Sequence, residues 1–416
     1  MMRRVLAGLW VAAALSGGAA RTTRADDEKP FAERVNSAID RGVEWLRKRQ
    51  GADGSWGAVM QTGSNYAGAG PAYDFPAGPT AFALYTLLKC GTPPDDPGVR
   101  HAFDALRRFD RESLSSYEIA ATLLAVEAKY DQVKREAKRE AAAGLKAEPG
   151  KRPDLHVKPS KDDAVWLGKL AAALTDRLDS GGWRYFRPNI RMPGAKQDTS
   201  STAISMLALL AAHRCGVDVP RATTASVVQW DLAQQEATGP AAQPQKPAGG
   251  AGTTWAPPVD VTVRGWPYVK KSPFETEPTQ ATGNMTTAGM ITLLAAQHVL
   301  EDTGPETLKP LQPGIDKAIA DGTAWLAAHW RIDANPGWQY YHYMYLYGLE
   351  RVGDLRRVAL IAGHDWYMEG AKILVADQTE NGSWVKKDTH RPSDLLNTCF
   401  ALLFLDRASL AVTTPK

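Results

Sequence analysis

Cysteine and histidine are scarce in this chain of 416 residues, which has three of the first and eight of the second. Cys90, Cys215 and Cys399 lie far apart and form no Cys-x-x-Cys pair, so neither a disulfide framework nor a zinc knuckle is signalled. Each falls in or at the end of an apolar run, where a free thiol is ordinarily buried, and a single disulfide stays open. No stretch reaches the ~20 consecutive apolar residues of a membrane-spanning helix, so no transmembrane segment is expected. Neither sign of charge dominates, with 49 basic and 46 acidic residues, which argues against a nucleic-acid partner. The chain also lacks the strict apolar–polar alternation of strands, and it carries no His-x-x-x-His, Ser-His-Asp or glycine-rich phosphate signature. From spacing alone, no metal and no cofactor is expected.

The N-terminus does carry a pattern. Arg3 and Arg4 precede an uncharged apolar run from Val5 to Leu15, then small residues ending in Gly18-Ala19-Ala20, with a second candidate cleavage site at Thr23-Arg24-Ala25. This predicts a signal peptide over residues 1–25 and export to the periplasm or extracellular space. Its removal deletes four arginines and no acidic residue, which takes the formal charge from +3 to −1.

Apolar residues at three-to-four spacing predict helices near 33–50, 79–90, 98–109, 114–140, 163–178, 199–214, 221–237, 284–300, 312–330, 339–352, 365–378 and 394–409. They pair into about six hairpins. In each, the first helix is amphipathic and the second apolar nearly all round, as from Thr202 to Ala212, so first helices belong outside and second helices inside. Alternating outer and inner helices close into a double-layered ring, because each hairpin hides its apolar face only against its neighbours. The expectation is therefore an all-α, α/α-toroid fold in a single domain over 26–416, with insertions near 134–161 and 238–258. Pro-containing loops at 187–197 and 270–282 precede inner helices and would rim one mouth of the ring.

Five aromatic-bearing segments run into glycine–tryptophan turns. The clearest are Gln50-Gly51-Ala52-Asp53-Gly54-Ser55-Trp56-Gly57, and Gln378 with Asn381-Gly382-Ser383-Trp384; weaker copies end at Trp183, Trp266 and Trp338. The first turn closely resembles the QW repeat of squalene and oxidosqualene cyclases, with weaker cousins in protein prenyltransferase β subunits. That resemblance covers roughly residues 33–410 and implies a terpenoid-cyclase-like α/α toroid with an apolar central cavity. Physically, the glutamine amide caps helix-end backbone groups and the indole covers a neighbouring helix. Gln50, Trp56, Trp183, Trp266, Trp338, Gln378 and Trp384 are accordingly read as structural.

The activities implied by the resemblance fail motif by motif. Class II cyclases protonate an alkene with the middle acid of Asp-x-Asp-Asp-Thr-Ala; here Asp198-Thr199-Ser200-Ser201-Thr202-Ala203 keeps the first acid and puts serines at the other two. Prenyltransferases hold zinc with an Asp-x-Cys pair and a distant histidine. The similar segment Asp394-Leu395-Leu396-Asn397-Thr398-Cys399 has Asn397 at the histidine position, and no Asp-x-Cys occurs near Tyr340–Tyr347. The Cys-Gly-Glu-Gln signature of thioester domains and the acidic calcium loop of pectate lyases are absent as well.

What remains for a site is the aromatic helix Trp338–Arg351, with five tyrosines and one histidine. If it lines the cavity, Tyr340, Tyr341 and His342 would meet a ligand; packing between helices is the competing account. Asp394 and Asn397 join them as binding candidates, and Asp198 and His342 are the only catalytic candidates. Asp198 and Asp394 have the alternative role of helix N-caps. The leading expectation is an exported, prenyltransferase-like and squalene-cyclase-like protein that binds a hydrophobic or isoprenoid-like small molecule without cyclase acid or zinc-thiolate chemistry. A divergent cyclase-, prenyltransferase- or lyase-type enzyme, and a scaffold that binds another protein, are the alternatives.

Overall fold

The computed structural model describes residues 30–57, 75–142, 156–185, 196–246, 254–271, 278–385 and 394–406, with the side chains of 132–142 excepted. The expected leader (1–25), the centre of the first insertion (143–155) and that of the second (247–253) lie outside the described residues. Among the described residues the regular structure is helical, with isolated bridges and no strand.

Thirteen α-helices follow in order: α1 (Phe31–Lys48), α2 (Gly78–Lys89), α3 (Pro97–Arg107), α4 (Ser116–Ala142), α5 (Lys161–Thr175), α6 (Thr199–Arg214), α7 (Arg221–Gln234), α8 (Gly283–Thr303), the one-turn α9 (Pro305–Leu308), α10 (Gln312–Ala328), α11 (His342–Arg356), α12 (Trp366–Asp377) and α13 (Asp394–Leu405). Their packing closes a ring. Helix α2 packs on α4, α4 on α6, α6 on α8, α8 on α11, α11 on α13, and α13 back on α2. The remaining long helices form the outer layer: α1 lies against α13, α3 against α2, α5 against α4, α7 and α10 against α8, and α12 between α11 and α13. The chain is thus an α/α toroid.

The two layers follow from the sequence. Outer α1 buries Val35, Ala38, Ile39, Gly42, Trp45 and Leu46, one stripe at three-to-four spacing, and leaves charges between. Inner α6 and α8 are buried along nearly their whole length, which only a helix walled in on every side tolerates. Asp96, Ser160, Asp198 and Asp365 accept main-chain N–H bonds at the starts of α3, α5, α6 and α12, satisfying donors that no helical carbonyl reaches.

Four of the five tryptophan turns share one geometry. The indole Nε1 of Trp56, Trp183, Trp266 and Trp384 donates to a carbonyl near the end of the preceding outer helix: Leu46 (2.8 Å), Leu174 (2.7 Å), Asp231 (3.0 Å) and Leu374 (2.8 Å). The main-chain N–H of each donates to a threonine Oγ1 in the first turn of the next inner helix: Thr80 (3.1 Å), Thr202 (3.1 Å), Thr286 (3.2 Å) and Thr398 (3.1 Å). Each turn therefore clamps the end of an outer helix to the start of an inner one.

Glutamine joins one hairpin to the next. Gln50 Nε2 donates to Gly54 O (3.0 Å) and to Gly98 O of α3 (2.8 Å), and Gln378 Nε2 to Gly382 O (2.9 Å) and to Ala38 O of α1 (2.8 Å). The second pair spans 340 residues and seals the ring. Gln235, which the long excursion after α7 hides from a repeat search, does the same between Arg264 O (3.1 Å) and Ala318 O of α10 (3.0 Å). The turn glycine is fixed twice over. Gly382 has φ +92, and a Cβ there would lie 2.5 Å from Arg41 O of α1.

The fifth turn departs from this pattern. Trp338 is half-buried and stands edge-on to Tyr340 at 5.7 Å rather than tying two helices. Asn335 takes over the junction: its side chain accepts from Asn284 N (2.8 Å) and donates to Asn284 Oδ1 (2.8 Å) and Tyr340 O (2.9 Å). The helix expected from 339 starts at His342, because Tyr341 adopts a left-handed conformation with φ 65. At the hairpin of α3 and α4, Glu118 serves instead, accepting from Ala77 N (3.0 Å) and Ser115 N (2.8 Å). All three cysteines are free thiols.

One buried group works against the fold. Asp231 on α7 is fully enclosed beneath Trp266, and among the described residues no cation is paired with it. Burial pushes its carboxyl well above the ordinary range, against a smaller opposing effect of Trp266 and Thr292. Raised in the folded state, the group stabilises the fold most below the ordinary Asp range, near pH 4, and that contribution is lost as pH rises through the folded value.

Two outcomes follow from these contacts. Gln378→Ala should lower unfolding stability by about 1–3 kcal/mol, because it leaves two buried carbonyls without a donor, and a urea midpoint reads the change. An unaltered midpoint would remove the amide from the seam. Asp231→Asn should raise stability at pH 7 and, in thermal melts, flatten the loss of stability as pH rises above the ordinary Asp range.

Candidate functional site

Each inner helix keeps one stripe slightly open while its other faces are closed. On α6, Ser200, Ala203 and Leu207 each retain 6% of their surface, whereas Thr199, Ser201, Thr202 and Ser205 retain none. Asn284, Ala288 and Ile291 repeat this on α8, and Met344, Tyr347 and Arg351 on α11, all at helical spacing. These stripes face the axis of the ring, the lumen of the toroid.

Aromatic rings meet across that lumen. Phe82 of α2, Phe400 of α13 and Tyr347 of α11 contact one another with centroids 5.0 Å (Phe82–Phe400), 5.5 Å (Tyr347–Phe400) and 6.5 Å (Phe82–Tyr347) apart. Because α2 and α11 flank α13, side chains from both can meet Phe400 and each other only on the inner side. The rings pack on one another, each pair adding about 0.5–1.5 kcal/mol beyond area burial.

The two ends of the lumen differ in chemistry. At the starts of the inner helices, Tyr117 of α4 and Ser200 of α6 share a hydrogen bond, and the Tyr117 ring stands edge-on to Tyr185 at 5.5 Å. Enclosure by protein, with the Asp198 charge added, pushes the Tyr117 hydroxyl well above the ordinary tyrosine range. Asn284 and Met344 meet across α8 and α11 at 4.0 Å. At the far end stand charges: Lys89 lies 3.0 Å from Asp131 and 3.7 Å from Glu127, Arg214 reaches Glu127 at 3.8 Å, and Arg351 pairs with Glu350 at 2.5 Å. Tyr85 lies within electrostatic reach of Glu127, Glu350 and Arg351, and burial pushes its hydroxyl up to about 12. One end thus carries hydroxyls and an amide beside the capping Asp198, the other ion pairs, with aromatic rings between them.

The residues singled out from sequence fall into three groups. Asp198 is buried and spends both carboxylate oxygens on α6, accepting from Ser201 N (2.7 Å) and Ser201 Oγ (2.7 Å); this is a helix cap. Ser200, at the position matching the cyclase acid, is the residue of that segment on the lumen stripe. His342 is two residues from Met344 on α11 and so points away from the lumen; its Nε2 lies 2.8 Å from Ile332 O in the loop before the helix. Of the tyrosines, Tyr343 reaches outward to Asp377 Oδ2 (3.3 Å) and Tyr345 packs beside Gly283, while Tyr347 enters the aromatic cluster. Tyr341 is partly exposed at the ring's mouth and lies within electrostatic reach of Tyr117; Tyr340 packs on Trp338. Asp394 is exposed at the start of α13, whereas Asn397 is buried one turn on, its Nδ2 without a hydrogen-bond partner among the described residues. No zinc ligand set forms around these two residues among those described.

Sequence reading missed Phe82, Tyr117, Ser200 and Phe400 as lumen residues. The signal for the three aromatic residues is weak, since an aromatic in a largely apolar helix carries no mark of the face it occupies, whereas Ser200 is marked by its place in the Asp198–Ala203 segment.

No family model matches the chain, and no curated protein matches it. Among solved structures, the type II terpene cyclase MstE from Scytonema in complex with its product merosterolic acid A is similar over 92% of this chain and 99% of that one, at 13% identity and a TM-score of 0.42. The apo form of MstE, and MstE in complex with its substrate geranylgeranyl dihydroxybenzoate, align over the same shares at 12% identity with TM-scores of 0.31 and 0.32. Likeness at this level carries no argument about activity, and the ring rests on the helix packing itself.

Asp198→Ala, which removes the acceptor for Ser201 N, should cost about 1 kcal/mol of stability, the worth of a cap. A urea midpoint checks this, and an unaltered midpoint would remove Asp198 from the cap.

Proposed function

We propose that this protein binds a hydrophobic, isoprenoid-like molecule in its lumen and does not protonate it. The observation that carries the reading is the aromatic cluster of Phe82, Tyr347 and Phe400 across the lumen, with Ser200 and Tyr117 in place of an acid. Pockets with mostly apolar and aromatic linings and a few polar groups favour such ligands. A serine hydroxyl and a tyrosine shifted toward weaker acidity do not donate a proton to an alkene, and Asp198 is committed to its helix. A hydroxylated or phenolic head at the Tyr117 end, with its chain among the aromatic rings, uses both chemistries. The N-terminal pattern supports export, so the ligand would be met outside the cytoplasm.

Native mass spectrometry and solvent extraction of the purified full chain test the proposal. The expected result is one isoprenoid-like molecule per chain, and titration with a fluorescent prenyl alcohol should saturate. Phe400→Ala and Tyr347→Ala should each weaken that binding about tenfold, or ~1.4 kcal/mol, with the helical circular-dichroism signal kept. No extracted molecule together with no saturable binding would overturn the reading and favour a scaffold working through its outer surface.

A further inference from the structure

Three ligand-type side chains from three distant parts of the sequence meet at the end of the ring where the inner helices α6 and α8 finish. His213 lies in the last turn of α6, Asp302 in the last turn of α8, and His156 on the segment that leads into α5. One ligand atom from each lies within 4.8 Å of the other two. His213 Nε2 is 3.2 Å from Asp302 Oδ2, and the two imidazole rings stand edge-on at 5.2 Å and 78°.

We infer that His156, His213 and Asp302 form a binding site for a divalent transition-metal ion of the zinc type. Ligands about 2.0–2.1 Å from a tetrahedral zinc stand about 3.3 Å from each other, so the His213–Asp302 pair already has the spacing of one edge. His156 completes a face by closing at most about 1.5 Å, given the 4.8 Å envelope of the set. The segment that carries it is anchored, because Val157 N donates to Arg214 O (2.8 Å) and the Val157 side chain is buried in the core. A second, independent observation concerns charge. Asp302 stands at the C-terminal end of α8, where the helix macrodipole is unfavourable to a carboxylate, and α6 brings a second negative helix end to the same place. A dication offsets both. Of the neighbouring cations, Arg214 is engaged with Glu127 and Arg221 lays its side chain against Gly304. Two imidazoles and one carboxylate suit zinc, and leave a fourth position for water. The competing account is an ion pair between a charged His213 and Asp302, with no metal.

Titration of the chelator-treated full chain with Co²⁺ separates the two. One equivalent should develop the visible d–d absorption of a four-coordinate ion, and Zn²⁺ should displace it and raise the melting temperature. His156 and Asp302 are exposed and His213 is half-buried; His156→Gln, His213→Gln and Asp302→Asn should each weaken Co²⁺ binding at least tenfold while the helical circular-dichroism signal is retained. Absence of a stoichiometric Co²⁺ spectrum, or a spectrum that persists in the His156→Gln/His213→Gln double variant, would overturn the site and leave the ion pair.

Discussion

The tryptophan clamp is the contact on which the ring depends. An outer helix ends with carbonyls that no helical N–H can reach, and an inner helix begins beside a turn whose own main-chain donor needs a partner. One residue answers both needs, its indole N–H going back to the outer helix and its main-chain N–H forward to a threonine hydroxyl, as at Trp56 with Leu46 and Thr80. The ring itself fills the space between the layers; Trp183, Trp266 and Trp384 have no exposed surface. Four such clamps fix the offset between outer and inner helix, and the glutamines fix the offset between successive hairpins. A closed ring needs both, because an angular error in each hairpin would accumulate and leave α13 unable to meet α2.

Closure has a consequence for the interior. Six inner helices packed side by side leave an axis that their backbones cannot fill, so side chains on the axial stripe determine what that space is. Here the stripe changes along its length, from Tyr117, Ser200 and Asn284, through Phe82, Tyr347 and Phe400, to the ion pairs of Lys89, Glu127 and Arg351. At the far end the basic and acidic side chains pair with one another, Lys89 with Asp131 and Glu127, Arg214 with Glu127, and Arg351 with Glu350 and Asp354. The other end keeps hydroxyls and an amide near the starts of the inner helices, where their side chains compete for the same first-turn donors that Asp198 caps on α6. Asp198 shows how this competition resolves: both oxygens go to Ser201, and the residue that could have been an acid is a helix end.

Much of the architecture is legible in the sequence because it is encoded locally. Amphipathic and uniformly apolar helices differ by a pattern visible within three turns of chain, and their alternation implies two layers. The Gly–Trp turns advertise themselves through glycine at a left-handed position followed by tryptophan, as at Gly54 and Gly382. The reading fails where the local signal is ambiguous: Trp338 follows a glycine with φ +77 like the others, yet a left-handed Tyr341 shortens the helix behind it and Asn335 makes the junction. Gln235 fails for the opposite reason, its turn being separated from its helix by an excursion too long for the repeat to be recognised.

The sequence by itself determined the helices, their two classes and the turns that join them, since these depend on spacing and on residues that are neighbours in the chain. Only the tertiary structure decided which way each side chain points. In a helix buried on all sides, His342 and Met344 are equally apolar in context, but a difference of two residues places one toward the outer loop and the other on the axis. Tertiary structure alone also brought His156, His213 and Asp302 together. Their proximity comes from the angle at which successive hairpins pack, a property of the closed ring that no short stretch of sequence contains.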